Sequence, residues 1–490
     1  MNDAQKSMFS SVESVNLASS KVQQKQLHAF RQDVMSNHDA VGLAQLIASR
    51  EVSAAEVCDA AIGRAKIIDP QLHAIQYPCF STARTQAHQR TQGLFSGVPT
   101  FIKDNMDVKG LPTNFGSIAF TAKSAQATDP FIRQFLSQGF TVLGKTRMPE
   151  FGLNGSTEYK GQQSTHNPWN LDYTAGGSSG GAAALVAAGV VPIAHGNDGG
   201  GSIRIPAACC GLVGLKATRG RFINSTAARM LPINIISEGV LTRSVRDTAH
   251  FFAGMEQTYQ NRKLKPIGLV ERAGQKRLRV GVFFDSVHHQ SDQETRTTVE
   301  SIAKLLETSG HHVSEMPMPI KAQFVDDFTL YWGSLALVMS RLTGLFTGTQ
   351  FDLSKVDNLT LGLSELYQRD FYKTPAMLYR LRKTETDYRT IFSNYDVILT
   401  PTIGHTPPKL GQLSPKQSFE EIFSNLQKFA CFTPFNNAAG GPAISLPVGM
   451  SAEGLPIGCQ FMANHGDERV LLELALELEQ SMTWHKIYEV

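Results

Sequence analysis

The chain has 490 residues, 42 % of them apolar and 18 % charged, with 46 Lys and Arg against 43 Asp and Glu for a net charge of +3. That is apolar enough to bury a large core and too apolar for a disordered chain. So even a charge balance gives no argument for nucleic acid or an anionic membrane surface as a partner.

Residues 1–38 are polar and rich in Ser and Gln, and read as an appended arm, partly helical or disordered. They contain no apolar h-region, so no signal peptide is expected. Asp39 precedes AVGLAQLIAS, whose apolar spacing predicts a helix capped by that aspartate. Ser53 and Glu56 form a capping box ahead of a second helix, VCDAAIGRAKII. From about residue 97 onward, short apolar runs alternate with Gly-punctuated turns and helical stretches. GVPTFIKD, FTVLGKT and VVPIAHG read as strands feeding loops, and GGAAALVAAG reads as a small-residue helix. Further along, LRVGVFF (278–284), YDVILTPT (395–402), PAISLPVGM (442–450) and PIGCQFMA (456–463) read as strands, the last two joined by a turn at Glu453 and Gly454. ETRTTVESIAKLLETSG (294–310) and DERVLLELALELEQ (467–480) read as helices. Alternating strands and helices imply an α/β fold with a mostly parallel sheet covered by helices. The stretch 320–390 differs, being helical with little strand signal. It is either a layer packed on the sheet or a cap that shapes a substrate pocket, and the two do not exclude each other.

Nowhere does a run of 18 apolar residues occur, so no membrane span is expected. Six cysteines, none in a CxxC pair, fit reduced thiols in a cytosolic or oxygen-poor compartment better than a disulfide framework. His and Cys spacings offer no tetrahedral metal set, and neither metal nor cofactor is expected.

The chemistry concentrates in 174–217. Two Gly-rich loops, GGSSGG (176–181) and GGGS (199–202), are separated by one helix and one strand. Three glycines before a serine leave the backbone N–H groups of Gly199, Gly200, Gly201 and Ser202 free to converge as an anion nest. Beside a nucleophile such a nest is an oxyanion hole. A phosphate-binding Walker loop would need Lys and Ser/Thr directly after the glycines, whereas Ile203 and Arg204 follow Ser202. A GxSxG elbow is also absent around Ser202, which argues against an α/β-hydrolase. Ser202 needs a base. His195 is nearby in sequence, although a satisfied histidine at a strand end is the plainer reading. Lys103, at the end of an apolar strand in FIKD, can serve if burial makes it neutral. A solvent-facing lysine is the alternative.

At this point the residues resemble the amidase signature family. The sequence supplies GGSSGG, Gly196-x-Asp198, GGSIRIPA and GLVGLK in order, with Ser178 and Ser202 separated by 24 positions and Lys103 and Ser178 by 75. LGKTRMPEFG (143–152), NPWN (167–170), GVLTRSVRD (239–247), ILTPT (398–402) and GGPAISLPVGMSAEGLPIGCQF (440–461) carry the likeness over about 39–482. The resemblance implies a mixed, mostly parallel central sheet sandwiched between helical layers, and a single domain over 39–490. It implies amide hydrolysis with Ser202 as nucleophile, Ser178 as bridge on a cis peptide, and Lys103 as base. Ser179, Asp198 and Arg204 become supporting residues. Departures from the family pattern stand at Thr174-Ala175, Gly199 and Lys216-Ala217-Thr218, none of them in the triad.

HGNDGGGSIRIPA and PFNNAAGGPAISLPVGM look most like amidases of the 6-aminohexanoate-cyclic-dimer hydrolase type, which suggests linear or cyclic aliphatic amides as substrates. Phe328, Tyr331, Trp332 and Leu335, at i, i+3, i+4 and i+7, form one helical face that either lines an apolar acyl pocket or packs on the sheet. The expected partner is a small-molecule amide, with no nucleic acid and no membrane, for a cytoplasmic monomer or homodimer. Two rivals remain within the fold. One is the amidotransferase A-type subunit that passes glutamine ammonia to mischarged tRNA, distinguished by glutaminase activity and co-purifying subunits. The other is a catalytically silent binding protein, distinguished by fluorophosphonate labelling.

Overall fold

The computed structural model describes residues 26–89 and 91–489. Of the arm expected over 1–38, residues 1–25 lie outside the described residues. Residues 26–38 lie against the body. The N–H groups of Leu27 and Ala29 donate to Pro168 O and Ala188 O, each at 2.8 Å. Asp33 accepts two bonds from the buried Arg64 guanidinium, whose remaining reach goes to Gly189 O and Ser36 O. The Phe30 ring sits 5.2 Å from the Arg243 guanidinium and 4.4 Å from the Tyr488 ring.

Both N-terminal helices start where their caps predict. Asp39 accepts from Gly42 N–H at the head of Ala40–Ser49. Ser53 and Glu56 close a reciprocal capping box on Ala54–Leu72, satisfying two of the amides that a helix start leaves unpaired. The second helix buries Val57, Ala61, Ile62, Ala65, Ile68 and Leu72 at helical spacing.

Three strands form a small sheet: β1 (Ile75–Pro78), β2 (Pro99–Lys103) and β3 (Thr141–Thr146), in the order β1-β3-β2. β4 (His166–Asn167) and β5 (Asn170–Thr174) make a hairpin. The large sheet comprises β6 (Ile193–Asp198), β7 (Val213–Lys216), β8 (Ser237–Thr242), β9 (Arg279–Val282), β10 (His312–Glu315), β11 (Val397–Pro401), β12 (Ala443–Met450) and β13 (Pro456–Ala463). Its order is β10-β9-β11-β13-β12-β7-β8-β6. The sheet is mixed and helix-flanked, as expected, but its parallel share is smaller than alternation implies. Only β10/β9 and β9/β11 run parallel, and the other pairings are antiparallel. Alternation predicts parallel pairing only when successive strands become neighbours. Here β6 and β7 are separated by β8, which returns antiparallel to both, and β12 and β13 form a hairpin closed by Ser451 N–H to Leu455 O at 2.8 Å.

β2 lies beside β6. Thr100 Oγ1 donates to Ile193 O at 2.9 Å, and the Lys103 N–H donates to His195 Nδ1 at 3.2 Å. The end of β2 therefore faces the end of β6. The helices Gly180–Ala187 and Arg204–Cys210 are buried along their whole length, which their small side chains allow. The 320–390 stretch is helical, with Ala322–Thr347, Asn358–Asp370 and Thr374–Ile391 packed on one another. Tyr388 of the last roots this layer on the sheet by donating to Ala463 O at 2.7 Å. All six cysteines are unpaired. Among the described residues, no helix is long and apolar enough to cross a membrane.

Arg64→Met removes the buried guanidinium that ties Asp33 to the body and leaves its carboxylate only local partners, Arg31 and the Met35 and Ser36 N–H groups. The expected loss is about 2–3 kcal/mol by urea denaturation, with faster proteolysis within 26–38. Unchanged stability and unchanged cleavage would show that this segment is held by other contacts.

Candidate active site

β6 ends at Asp198 and the helix Arg204–Cys210 begins six residues on, so Gly199–Ile203 form a strand-to-helix turn. Gly201 has φ +129°, and a Cβ there would stand 2.2 Å from Thr433 Oγ1, so no larger residue fits. Thr433 Oγ1 in turn donates to Gly200 O at 2.6 Å.

Asp198 pins this turn. Its carboxylate accepts the N–H of Gly201 at 2.8 Å and of Ile203 at 3.2 Å. Arg204 meets it bidentately, Nε at 2.9 Å and Nη2 at 2.8 Å, with both side chains fully buried. The rest of the guanidinium is spent on Gln460 Oε1 at 2.6 Å, Asn437 Oδ1 at 2.7 Å and Asn436 Oδ1 at 3.2 Å. Burial alone would raise the Asp198 pKa, but the Arg204 charge and its hydrogen bonds outweigh this and hold the carboxyl well below the usual range. Asp198 and Arg204 thus meet at the base of this loop, with two of its amides bonded to the carboxylate. The asparagines and Gln460 that complete the network carry no local sequence signal, because they arrive from 230 residues away or more.

One expectation for this loop is corrected. The Gly201 N–H turns to Asp198 and is not free. The N–H groups of Gly199, Gly200 and Ser202 have no acceptor among the described residues.

Lys103 lies at the end of β2, completely buried. Its Nζ approaches Ser178 Oγ at 2.7 Å, Ser179 Oγ at 3.0 Å and Asn197 Oδ1 at 2.6 Å. The Gly177–Ser178 peptide is cis. Burial lowers the Lys103 pKa to about 7, with Glu238 and Asp198 opposing the shift. The solvent-facing alternative for this lysine is therefore excluded. Asn197 is a contact that reading the sequence missed, since an asparagine at a strand end before Asp-Gly looks like a turn residue.

His195 does not join these groups. Its Nδ1 accepts the Lys103 backbone N–H, which places the ring proton on Nε2, 3.4 Å from Glu238 Oε2. Burial pushes its pKa down. It is a neutral, satisfied histidine that braces β2. The Ser202 hydroxyl makes no hydrogen bond among the described residues and opens into a cavity. Ser202 O accepts the Ser179 N–H at 3.3 Å, which ties the two Gly-rich loops together.

The cavity encloses about 970 Å³ of non-protein space, part of it open to solvent. Gly152, Gly177, Gly200 and Ser202 form its floor. The helix Ala322–Thr347 supplies Phe324, Phe328 and Trp332, and Phe419–Phe429 supplies Phe423 and Leu426. Phe328 and Trp332 stack at 5.7 Å, and Trp332 Nε1 donates to Leu153 O at 3.2 Å. Among the described residues no Asp, Glu, Lys or Arg lines it, and its polar rim includes Ser286, His288, His289 and Gln427. Of the four residues expected on the acyl face, Phe328 and Trp332 are there and Tyr331 and Leu335 are not. The cavity stripe runs i, i+4, i+8 through Phe324, Phe328 and Trp332, turned from the i+3, i+7 positions. Tyr331 points instead at Ile233, donating to its O at 2.7 Å and accepting from its N at 3.2 Å. Leu335 packs in the same layer, beside Ile233, Met377 and Leu381.

Residues 56–472 match the family described as Amidase. A putative amidase AmiC from Mycobacterium leprae (strain TN) is 46 % identical over 464 residues, covering 94 % of this chain and 99 % of its own. The 6-aminohexanoate-cyclic-dimer hydrolase of Paenarthrobacter ureafaciens is 32 % identical over 478 residues, 91 % of this chain and 95 % of its own. A solved structure of 6-aminohexanoate cyclic dimer hydrolase complexed with substrate superposes with a TM-score of 0.83 at 30 % identity, covering 91 % of this chain and 97 % of that one.

Tyr331→Phe should lower stability by about 1–2 kcal/mol through its lost hydrogen bonds to Ile233. It should leave the ranking of substrates in an amide panel unchanged. A reordered ranking would return Tyr331 to the cavity wall.

Proposed function

This chain belongs to the Amidase family, and we propose that it hydrolyses amides through an acyl-enzyme on Ser202, with Ser178 and Lys103 as its proton relay. The observation that carries this reading is the buried Lys103 amine, 2.7 Å from Ser178 Oγ, with no carboxylate in contact. A lysine with a pKa of about 7 is neutral in half of the molecules at neutral pH, so its lone pair can take the Ser178 proton. Ser178 in turn takes the proton of Ser202, whose unbonded hydroxyl is free to turn toward it once substrate is seated. Catalytic hydrogen bonds of this kind often tighten only in the complex.

Ser202 Oγ then forms a bond to the carbonyl carbon, and the carbonyl π electrons move onto oxygen. The N–H groups of Gly199, Gly200 and Ser202 receive the developing oxyanion. As the tetrahedral intermediate collapses, its C–N bond breaks. Ser178 donates a proton to the leaving nitrogen and is reprotonated by Lys103. Water repeats the sequence on the ester carbonyl, releasing the acid and restoring Ser202.

The cavity supports neutral aliphatic or aryl amides, linear or cyclic, as substrates. An α-amino acid would carry an ammonium and a carboxylate into walls that supply neither counter-charge, and unpaired charges are costly to desolvate. Glutamine and asparagine should therefore be poor substrates, which separates this reading from the amidotransferase subunit. Hydrolysis of an amide panel by purified protein is the direct test, and glutamine or asparagine ranking first would refute the substrate reading. Trp332→Ala should weaken aliphatic and aryl amides through KM more than kcat.

Ser202→Ala should abolish turnover by several orders of magnitude while circular dichroism and thermal unfolding stay as in the wild type. Substantial turnover by the folded variant would remove Ser202 from its role. The pH profile of kcat/KM should rise through about pH 7, because raising the pH deprotonates Lys103 into its active form. Lys103→Ala should flatten that limb and slow acylation, and an unchanged limb would assign the base elsewhere.

A further inference from the structure

Asn197 approaches Lys103 Nζ at 2.6 Å, the shortest of that amine's three contacts, and the proposed relay gives it no part. Side chains two apart on a strand share a face, so His195 and Asn197 project from β6 toward β2 together. His195 Nδ1 takes the Lys103 backbone N–H, and Asn197 Oδ1 takes its side-chain amine. One strand face thus grips both ends of the lysine.

The hydrogen-bond inventory of a neutral amine, two N–H donors and one lone pair, makes this grip directional. Asn197 Oδ1 can only accept, so one N–H must point at it. Ser179 Oγ is placed to donate its own proton to Asn197 O at 3.3 Å, so it accepts the second N–H. Ser178 Oγ has Lys103 Nζ as its one hydrogen-bond partner among the described residues, so the remaining position, the lone pair, faces the Ser178 hydroxyl. Free rotation about the last lysine bond would otherwise spread the lone pair over three directions.

Resting on the relay proposed above, we infer that Asn197 is a positioning residue that aims the Lys103 lone pair at Ser178 and sets how readily Lys103 gives up its proton. The charged groups around the amine are Glu238 on β8 and Asp198 on β6, both of which favour its protonated form. Asp104, next in sequence, is already engaged by Lys145 at 2.8 Å, and His195 is neutral. Asn197 is therefore the contact through which the amine's charge state can be moved with least change of shape.

The test compares pH profiles of kcat/KM for one amide substrate with Asn197→Asp and Asn197→Leu. Asn197→Asp places a carboxylate against the amine, and its alkaline-rising limb should move to higher pH by about one unit or more. Asn197→Leu removes an acceptor that favours the ammonium, so its limb should move to lower pH, with a lower plateau because the lone pair is no longer aimed. KM should change little in either. Opposite shifts are the result that a merely structural asparagine cannot give. Limbs that stay at the wild-type pH, or that move together, overturn the inference, and Asn197→Ala takes the place of Asn197→Leu should that variant fail to fold. Fluorophosphonate labelling of Ser202, lost in Ser202→Ala, reads the relay independently. Failure of labelling would strike the hydrolase reading, whereas intact labelling with unshifted limbs strikes only the role of Asn197.

Discussion

An ammonium buried with only hydroxyl and amide oxygens around it lacks several kcal/mol of solvation, and the simplest relief is to lose its proton. Lys103 is in that position. The contrast with Lys145 is instructive, since both lysines stand on the small sheet and both are buried. Lys145 meets the Asp104 carboxylate at 2.8 Å, with Pro112 O and Thr113 Oγ1 completing its shell. Lys103 meets three neutral oxygens instead. A counter-ion satisfies one lysine, and under the proposed reading its absence suits the other to act as a base. The apposition of β2 and β6, the buried small-residue helix Gly180–Ala187 and the neutral His195 all serve that burial. A single carboxylate admitted to contact would undo it.

The Ser202 loop is organised on the opposite principle. There a buried ion pair is kept and fully satisfied. A buried salt bridge by itself is weak evidence for stability, because desolvation offsets most of the attraction. What Asp198 and Arg204 provide is geometry. By taking up the Gly201 and Ile203 amides, Asp198 fixes the Gly200–Gly201 and Ser202–Ile203 peptide units that bracket Ser202. The amides of Gly199, Gly200 and Ser202 are left over and aimed by default. Donors held this way need no reorganisation when negative charge develops, and fixed dipoles gain their advantage over water from that.

What could be read in the sequence divides along the same line. Features set by residues close in the chain were legible. The caps at Asp39 and Ser53, the two Gly-rich loops and the strands feeding them all stand where spacing put them. The spatial meeting of Lys103, Ser178 and Ser202's loop was legible through family resemblance and not from spacing. Features set by distant partners were hidden. Strand direction in the large sheet depends on β8 inserting between β6 and β7, which no local pattern encodes. The loss of the Gly201 amide to Asp198 depends on a turn whose φ angles glycine leaves open. The helical face of Phe328, Tyr331, Trp332 and Leu335 could not be divided between cavity and packing, because apolar periodicity locates a stripe without saying which edge of it faces the void. The Phe324, Phe328, Trp332 row was present in the same letters, one turn earlier.

The two halves of the cavity therefore answer to different constraints. Its floor is main chain and short side chains, fixed by strand ends and by the Asp198 network, and a change there disturbs the machinery itself. Its walls are aromatic and aliphatic side chains from Ala322–Thr347 and Phe419–Phe429, joined to the floor by contacts such as Trp332 Nε1 to Leu153 O. Burying apolar substrate surface on such walls is worth about 25 cal/mol per Å². Placing an unpaired charge there opposes binding by far more than one methylene gains. Under the proposed reading, discrimination between neutral amides and amino-acid amides follows from what the walls omit. Discrimination among neutral amides follows from shape alone. That second preference can drift through wall substitutions while the relay and the amide donors stay untouched.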